Sequence, residues 1–186
     1  TDKLNVRSFK VYADGALGSR GAALKTAYTD LKGHKGEFIT SKDSNEKLAY
    51  KLATTPFQLN THAIGDDANK AVLEAYRKAL VFSDDPRWRI EHAQIIDTAD
   101  IKLFNRKIIP SVQPTHATSD MYWAEERLGS ERLLGAYANK ALLLQSGRIA
   151  LGTDFPVEEV SPIKTFYAAV ARKDSEQFPE DGYLSE

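Results

Sequence analysis

The chain has 186 residues, 42% of them apolar, and its 25 basic and 26 acidic side chains leave a net charge of −1. One soluble domain of ordinary size fits these figures, and the scattered basic residues build no field for a polyanion, which excludes nucleic acid as a partner. No apolar run approaches the roughly 18 residues of a membrane span, Thr1-Asp-Lys-Leu-Asn lacks signal-peptide character, and the absence of cysteine leaves nitrogen and oxygen to hold any metal.

In chain order, the first extended run falls near Val6–Tyr12. A Gly-, Lys- and Asp-rich stretch from Tyr28 to Ser44 follows, read as an inserted solvated loop or a lid ahead of a short helix around Asn45–Ala53. A second strand near Phe57–His62 leads into the clearest helix, Asp66–Leu80. There Ala68, Ala71, Val72, Ala75, Tyr76 and Ala79 keep the 3.6-residue period behind acids at its start. Next come a strand at Trp88–His92, a helix over Thr98–Asn105 opened by a Thr cap, and a strand at Ile108–Gln113. The remainder reads as a helix from Ser130 to Ser146 closed by Gly147, a strand near Ile149–Thr153 and a helix over Pro162–Arg172.

Strand and helix alternate throughout, the pattern of parallel βαβ units, which assemble into either a barrel or a doubly wound sheet. Five strands do not complete an eight-stranded barrel, so a fragment or excised domain is expected, with the true N-terminus elsewhere. The compartment, cytoplasmic or exported, and the oligomeric state stay open.

Three of the strand runs end in a metal-ligating residue type: Gln58-Leu-Asn-Thr-His62, Arg87-Trp-Arg-Ile-Glu-His92 and Arg148-Ile-Ala-Leu-Gly-Thr-Asp154. On a parallel β/α barrel such residues converge on one rim, where that fold keeps its chemistry. Imidazoles hold divalent metals at neutral pH, and a carboxylate both ligates and takes a proton from a metal-activated water, so the set suits hydrolysis. Lys10 sits on a strand whose other face carries Phe9 and Val11, and burial there would disfavour its charge. A neutral amine of that kind takes up carbon dioxide to form a metal-bridging carbamate; an ordinary snorkelling or ion-paired lysine is the alternative.

The strings Phe9-Lys-Val-Tyr-Ala-Asp-Gly-Ala-Leu-Gly-Ser-Arg-Gly-Ala-Ala23, Thr61-His-Ala-Ile-Gly-Asp66, Arg89-Ile-Glu-His-Ala-Gln94, Ser111-Val-Gln-Pro-Thr-His116 and Leu151-Gly-Thr-Asp-Phe-Pro156 run in one order along nearly the whole chain. Together they resemble the amidohydrolase superfamily, and within it the family 3 branch that includes YtcJ-like proteins and N-substituted formamide deformylases. The resemblance implies an α/β fold, a (β/α)8 TIM barrel of which this chain covers roughly strands four to eight. It implies one or two divalent metal ions, zinc first, and hydrolysis of a non-peptide C–N bond in a small amide-type substrate by metal-bound hydroxide. By position, Lys10 becomes the carbamate-forming ligand, His62 and His92 the ligands ending strands five and six, and Asp154 a ligand and the catalytic general base.

The superfamily's His-x-His pair on strand one has no counterpart among these residues. It is expected upstream, with the first three strands and a β-sandwich domain, so that residues 1–186 alone hold a partial metal shell and little activity. Arg20 is read as a contact for an anionic group on the substrate or, equally, as a structural ion pair. His116 and Asp120, in the loop after Gln113-Pro114, are substrate-contact candidates beside a solvated reading, and His34 is assigned to solvent. Asp66 and Asp67 are explained by the dipole of the helix they open, and Glu91 by pairing with Arg87 or Arg89. Asp14-Gly-Ala-Leu-Gly-Ser-Arg20 lacks the ending of a phosphate-binding loop and is rejected as one. A metal-dependent esterase or phosphotriesterase, and a non-catalytic barrel fragment, are the alternative functions.

Overall fold

The structure, a computed structural model, describes residues 3–184. Five parallel strands form one sheet in sequence order: β1 (Ser8–Tyr12), β2 (Gln58–Ala63), β3 (Trp88–His92), β4 (Ile108–Val112) and β5 (Ala150–Leu151). Between and after them lie α1 (Lys42–Ala53), α2 (Asp66–Ala79), α3 (Pro114–Asp120), α4 (Ala124–Leu128), α5 (Ser130–Leu133), α6 (Asn139–Ser146) and α7 (Pro162–Ala171). Parallel neighbours joined by helices in strict sequence order are how a β/α barrel wall is built, and this chain supplies a five-stranded piece of one.

The pleat sorts side chains to two faces. Leu59, Ala63, Trp88, Ile90, Ile108 and Val112 share a core with Val72, Leu73 and Tyr76 of α2. Tyr76 meets Trp88 edge-on at 4.9 Å, and its hydroxyl is shared with Thr61 Oγ1 at 2.7 Å. Aromatic burial of this size is the largest single contribution to such a core, and truncating Trp88 to alanine costs about 3–5 kcal/mol. The other face is polar: register aligns Lys10 with Asn60 and Asn60 with Arg89, and Arg89 Nε donates to Glu91 at 2.7 Å, the pairing expected of Glu91.

A second core lies beneath the loops at the C-terminal strand ends, where Leu17, Tyr28, Ile64, Ile95, Ala117, Leu128 and Leu133 pack together. Asp14 joins the loop after β1 to the end of β2. Its buried carboxylate accepts backbone N–H bonds from Ala23 (2.9 Å), Ile64 (3.0 Å) and Gly65 (2.8 Å). Asn69 does comparable work one helical turn into α2, donating to Ala63 O and Gly65 O at 3.0 Å each. Asp66 accepts from Lys25 N at 2.9 Å and Asp67 pairs with Lys42 at 2.8 Å, so both acids have structural partners.

Several expectations are corrected. The run from Ser130 to Ser146 is two helices, because Gly135 lies so close to Ile96 that a Cβ there would stand 1.7 Å from the Ile96 carbonyl oxygen. Thr98–Leu103 is a 3-10 helix, and its cap is Asp97, whose side chain accepts from Ala99 N, rather than Thr98. The stretch before α1 is pinned: Asp30 takes both Arg20 and Arg127, and His34 Nε2 meets Arg20 O at 2.8 Å while stacking on Tyr28, so His34 is not left to solvent. His116 and Asp120 belong to α3, not to a loop, because Pro114 fits the first turn of a helix. Lys10 is exposed, not buried: β1 is an edge strand here, and Phe9 beside it is 47% exposed.

Candidate metal centre

At the C-terminal ends of the strands a cleft of about 460 Å³ is lined by Lys10, His62, His92, His116, Asp120 and Asp154, among others. A larger one, about 690 Å³, opens at the opposite ends beside Arg7, Phe57 and Trp88 and gathers no histidine among the described residues. Barrel chemistry belongs to the first position.

Rings run across the strand ends in sheet order. Tyr12 lies 5.0 Å from His62, His62 lies 4.4 Å from His92, and His92 stacks on His116 at 5.7 Å. Strand alternation brings His62 here, on the face opposite Leu59 and Ala63. His92 shares the parity of Trp88 and Ile90 and would point into the core, but its backbone takes φ 74° and Ala93 takes φ 43°. Asp154 takes φ 55°. Left-handed backbone costs a non-glycine residue of order 1–3 kcal/mol, and such strain gathers where side-chain aim matters more than stability.

His92, His116 and Asp154 each offer a ligand atom, all within 4.8 Å of one another, and His116 Nε2 stands 3.8 Å from Asp154 Oδ2. His62 Nε2, His92 Nδ1 and His116 Nε2 are buried without a hydrogen-bond partner among the described residues. Behind His62, Asp14 Oδ1 lies 3.7 Å from this same Nε2, too long for a hydrogen bond. Burial, aided by the Lys10 charge, pushes His62 down to about 4. Burial with His62, His116 and Lys10 nearby takes His92 to about 2, and burial lowers His116. Three neutral imidazoles with unused nitrogen atoms, beside a carboxylate, form a donor set that fits a divalent ion.

Of the residues anticipated from sequence, Lys10, His62, His92 and Asp154 line the cleft together, with Lys10 at its β1 edge, its Nζ 4.8 Å from the Tyr12 ring centroid. His116, expected to touch substrate, lines the cleft, and one of its ring nitrogens lies within 4.8 Å of donor atoms on His92 and Asp154. Arg20 is outside the lining, its guanidinium forked onto Asp30 at 3.1 and 2.7 Å, the ion pair of its two readings. Asp120 borders the cleft, and burial pushes its carboxyl up to about 6. Asp14 is the residue sequence reasoning did not single out; the Asp-Gly that follows the first strand was its only signal.

The chain belongs to the Amidohydrolase family, which it matches over residues 1–185. It is 34% identical over 171 residues to "Putative amidohydrolase YtcJ" of Bacillus subtilis, covering 91% of this chain and 32% of that protein. With Protein LONG AFTER FAR-RED 3 of Arabidopsis thaliana it shares 32% identity over 88% of this chain and 29% of that one. With N-substituted formamide deformylase of Arthrobacter pascens it shares 27% over 89% and 31%. The crystal structure of an uncharacterized metal-dependent hydrolase from Pyrococcus furiosus superposes with a TM-score of 0.79 at 32% identity, over 89% of this chain and 34% of that chain. The chain thus spans about a third of the length of these relatives.

Proposed function

We propose that this chain carries part of the active site of a metal-dependent hydrolase that cleaves a non-peptide C–N bond, of amide or formamide type, in a small molecule. The observation that carries the reading is the set of unpartnered buried imidazole nitrogens beside the Asp154 carboxylate in one cleft. The formamide deformylase among the relatives supports the bond type. His92, His116 and Asp154 hold the first divalent ion, zinc being well suited to nitrogen and oxygen donors. His62 would hold a second. Strands and domains supplied outside residues 1–186 complete the shell.

A bound ion of this kind polarises the substrate carbonyl and acidifies the attacking water. The protein's own part is proton movement and placement. An Asp154 carboxylate oxygen accepts the proton of the attacking water and returns it to the leaving nitrogen. Leu17, Ile64 and Trp123 in the lining limit water around the scissile bond. The test is Asp154→Asn in the full-length protein, assayed on paired amide and ester substrates of one acyl group. Turnover of the amide should fall by roughly 10²–10⁴-fold, since an amide side chain is a poor proton acceptor. Undiminished turnover refutes the base, and turnover of the ester alone moves the assignment to esterase chemistry.

A further inference from the structure

Asp120 is held in a way the hydrolytic step does not use. It sits four residues after His116 on α3, hence on the same helix face and at the border of the same cleft. Tyr137 Oη donates to its Oδ2 at 2.7 Å, and Gln94 Nε2 donates to that oxygen at 3.1 Å and to the Tyr137 hydroxyl at 3.2 Å. Tyr137 is 4% exposed and Gln94 6%, so a closed, buried triangle fixes the carboxylate's orientation. Both bonds fall on Oδ2; no bond from a described residue reaches Oδ1, which is left to the cleft.

The surroundings define what Oδ1 would meet. A carboxylate only accepts, so its partner is a donor. Glu158, fixed by a 2.6 Å bond from Ser119 Oγ, lines the same part of the cleft. The lining's one cation among the described residues, Lys10, stands at the far end of the row of rings, with His62, His92 and His116 between. An anionic group would be repelled at the α3 end and a cationic one attracted. Beside the acids lies the indole of Trp123, seated against Gly18, where a Cβ would come within 3.3 Å of the ring, and with the Arg127 guanidinium, itself paired with Asp30 and Glu126, 5.7 Å from its centroid. Charge and an aromatic platform together suit a cationic N–H group attached to a flat or apolar body.

We infer that Asp120 is a specificity-determining residue whose Oδ1 binds a cationic N–H donor on the substrate, with Trp123 bearing the adjoining apolar portion. The inference deepens the proposed function and rests on its assignment of this cleft to the substrate. The preferred substrates are amides whose leaving amine or acyl body carries a second, positively charged nitrogen.

Binding tests this apart from catalysis. With 5-fluorotryptophan incorporated, Trp123 reports on the cleft by 19F NMR while Trp88, 2% exposed in the core, serves as the internal control. Benzamidinium, a flat cation with two NH₂ groups that does not ligate metals, is titrated against acetophenone, a neutral acceptor of similar size. Titrations are run on metal-loaded and chelator-treated protein. Benzamidinium should shift the Trp123 resonance saturably and bind about tenfold tighter than acetophenone, with or without metal. Asp120→Asn should erase that preference, and Tyr137→Phe, which keeps the carboxylate but frees it to turn, should weaken it several-fold. No saturable shift, equal binding of the two probes, or unchanged benzamidinium affinity in both variants overturns the inference. If Asp120→Asn does not fold, Tyr137→Phe alone decides, unchanged affinity overturning the idea. Failure to hold metal or to hydrolyse any amide counts instead against the proposed function, since this binding needs neither.

Discussion

Replacing Asp14 separates the cost of losing acceptors from the cost of losing charge. Its Oδ2 accepts from Ala23 and Gly65 and its Oδ1 from Ile64, all three donors being backbone N–H groups in a region where the carboxylate is 0% exposed. Alanine leaves all three donors without a partner, and each stranded buried donor costs about 1–3 kcal/mol, so Asp14→Ala should cost about 3–6 kcal/mol after partial relaxation. Asparagine keeps one oxygen, which can serve Ala23 and Gly65, but turns an NH₂ toward the Ile64 N–H. Asp14→Asn should therefore cost about 1–3 kcal/mol. Against a total stability of about 5–15 kcal/mol, alanine brings the fold to its limit and asparagine does not. Urea unfolding followed by circular dichroism measures both. Two variants within about 0.5 kcal/mol of each other, or both close to the parent protein, would refute the acceptor argument.

The histidine row makes a pH prediction in chelator-treated protein. His62 is held down at about 4 and His92 lower, whereas unfolded imidazoles titrate near ~6.5. In that window the unfolded chain binds more protons at these sites, so their stabilising contribution is present above ~6.5 and lost as pH falls toward 4. Asp14 and Asp120, raised to about 7 and about 6, act with the opposite sign, so ring-by-ring NMR titration is the direct readout. His62 should still be neutral at about pH 5; titration near its ordinary value would contradict the burial argument. Gly65→Ala should cost at least about 3 kcal/mol by thermal or urea unfolding, because a Cβ there would sit 2.0 Å from Ala23 O, the carbonyl that accepts from Asp67 N at 3.1 Å at the start of α2. A loss below about 1 kcal/mol would mean that this close approach relaxes easily.

Where periodicity was strong and local, sequence reading came within a residue or two of the structure. The pattern from Ala68 to Ala79 placed α2, Gly147 marked the end of α6, and alternation placed β2 and β3. His62 follows from alternation alone. His92 does not, because its aim depends on two consecutive positive φ angles that no side-chain period encodes. His116 was misplaced although Pro114 was visible: a proline after a strand opens a helix as readily as it continues a loop, and the helix turns His116 back over the strand ends. Gly135 carried a comparable signal inside what read as one helix. The exposure of Lys10 was beyond reach, since it depends on β1 being an edge of this sheet rather than on anything in the strand's own residues.

In the proposed site the cleft at the strand ends holds a divalent ion through His92, His116 and Asp154. Elemental analysis of the full-length protein, beside its His92→Ala, His116→Ala and Arg20→Ala variants, is the test. About one or two equivalents of metal are expected in the unmodified full-length protein, with loss in both histidine variants and retention in Arg20→Ala, whose side chain is occupied by Asp30. A well-folded protein that takes up no metal on reconstitution, or a His116→Ala variant with its metal intact, would contradict it.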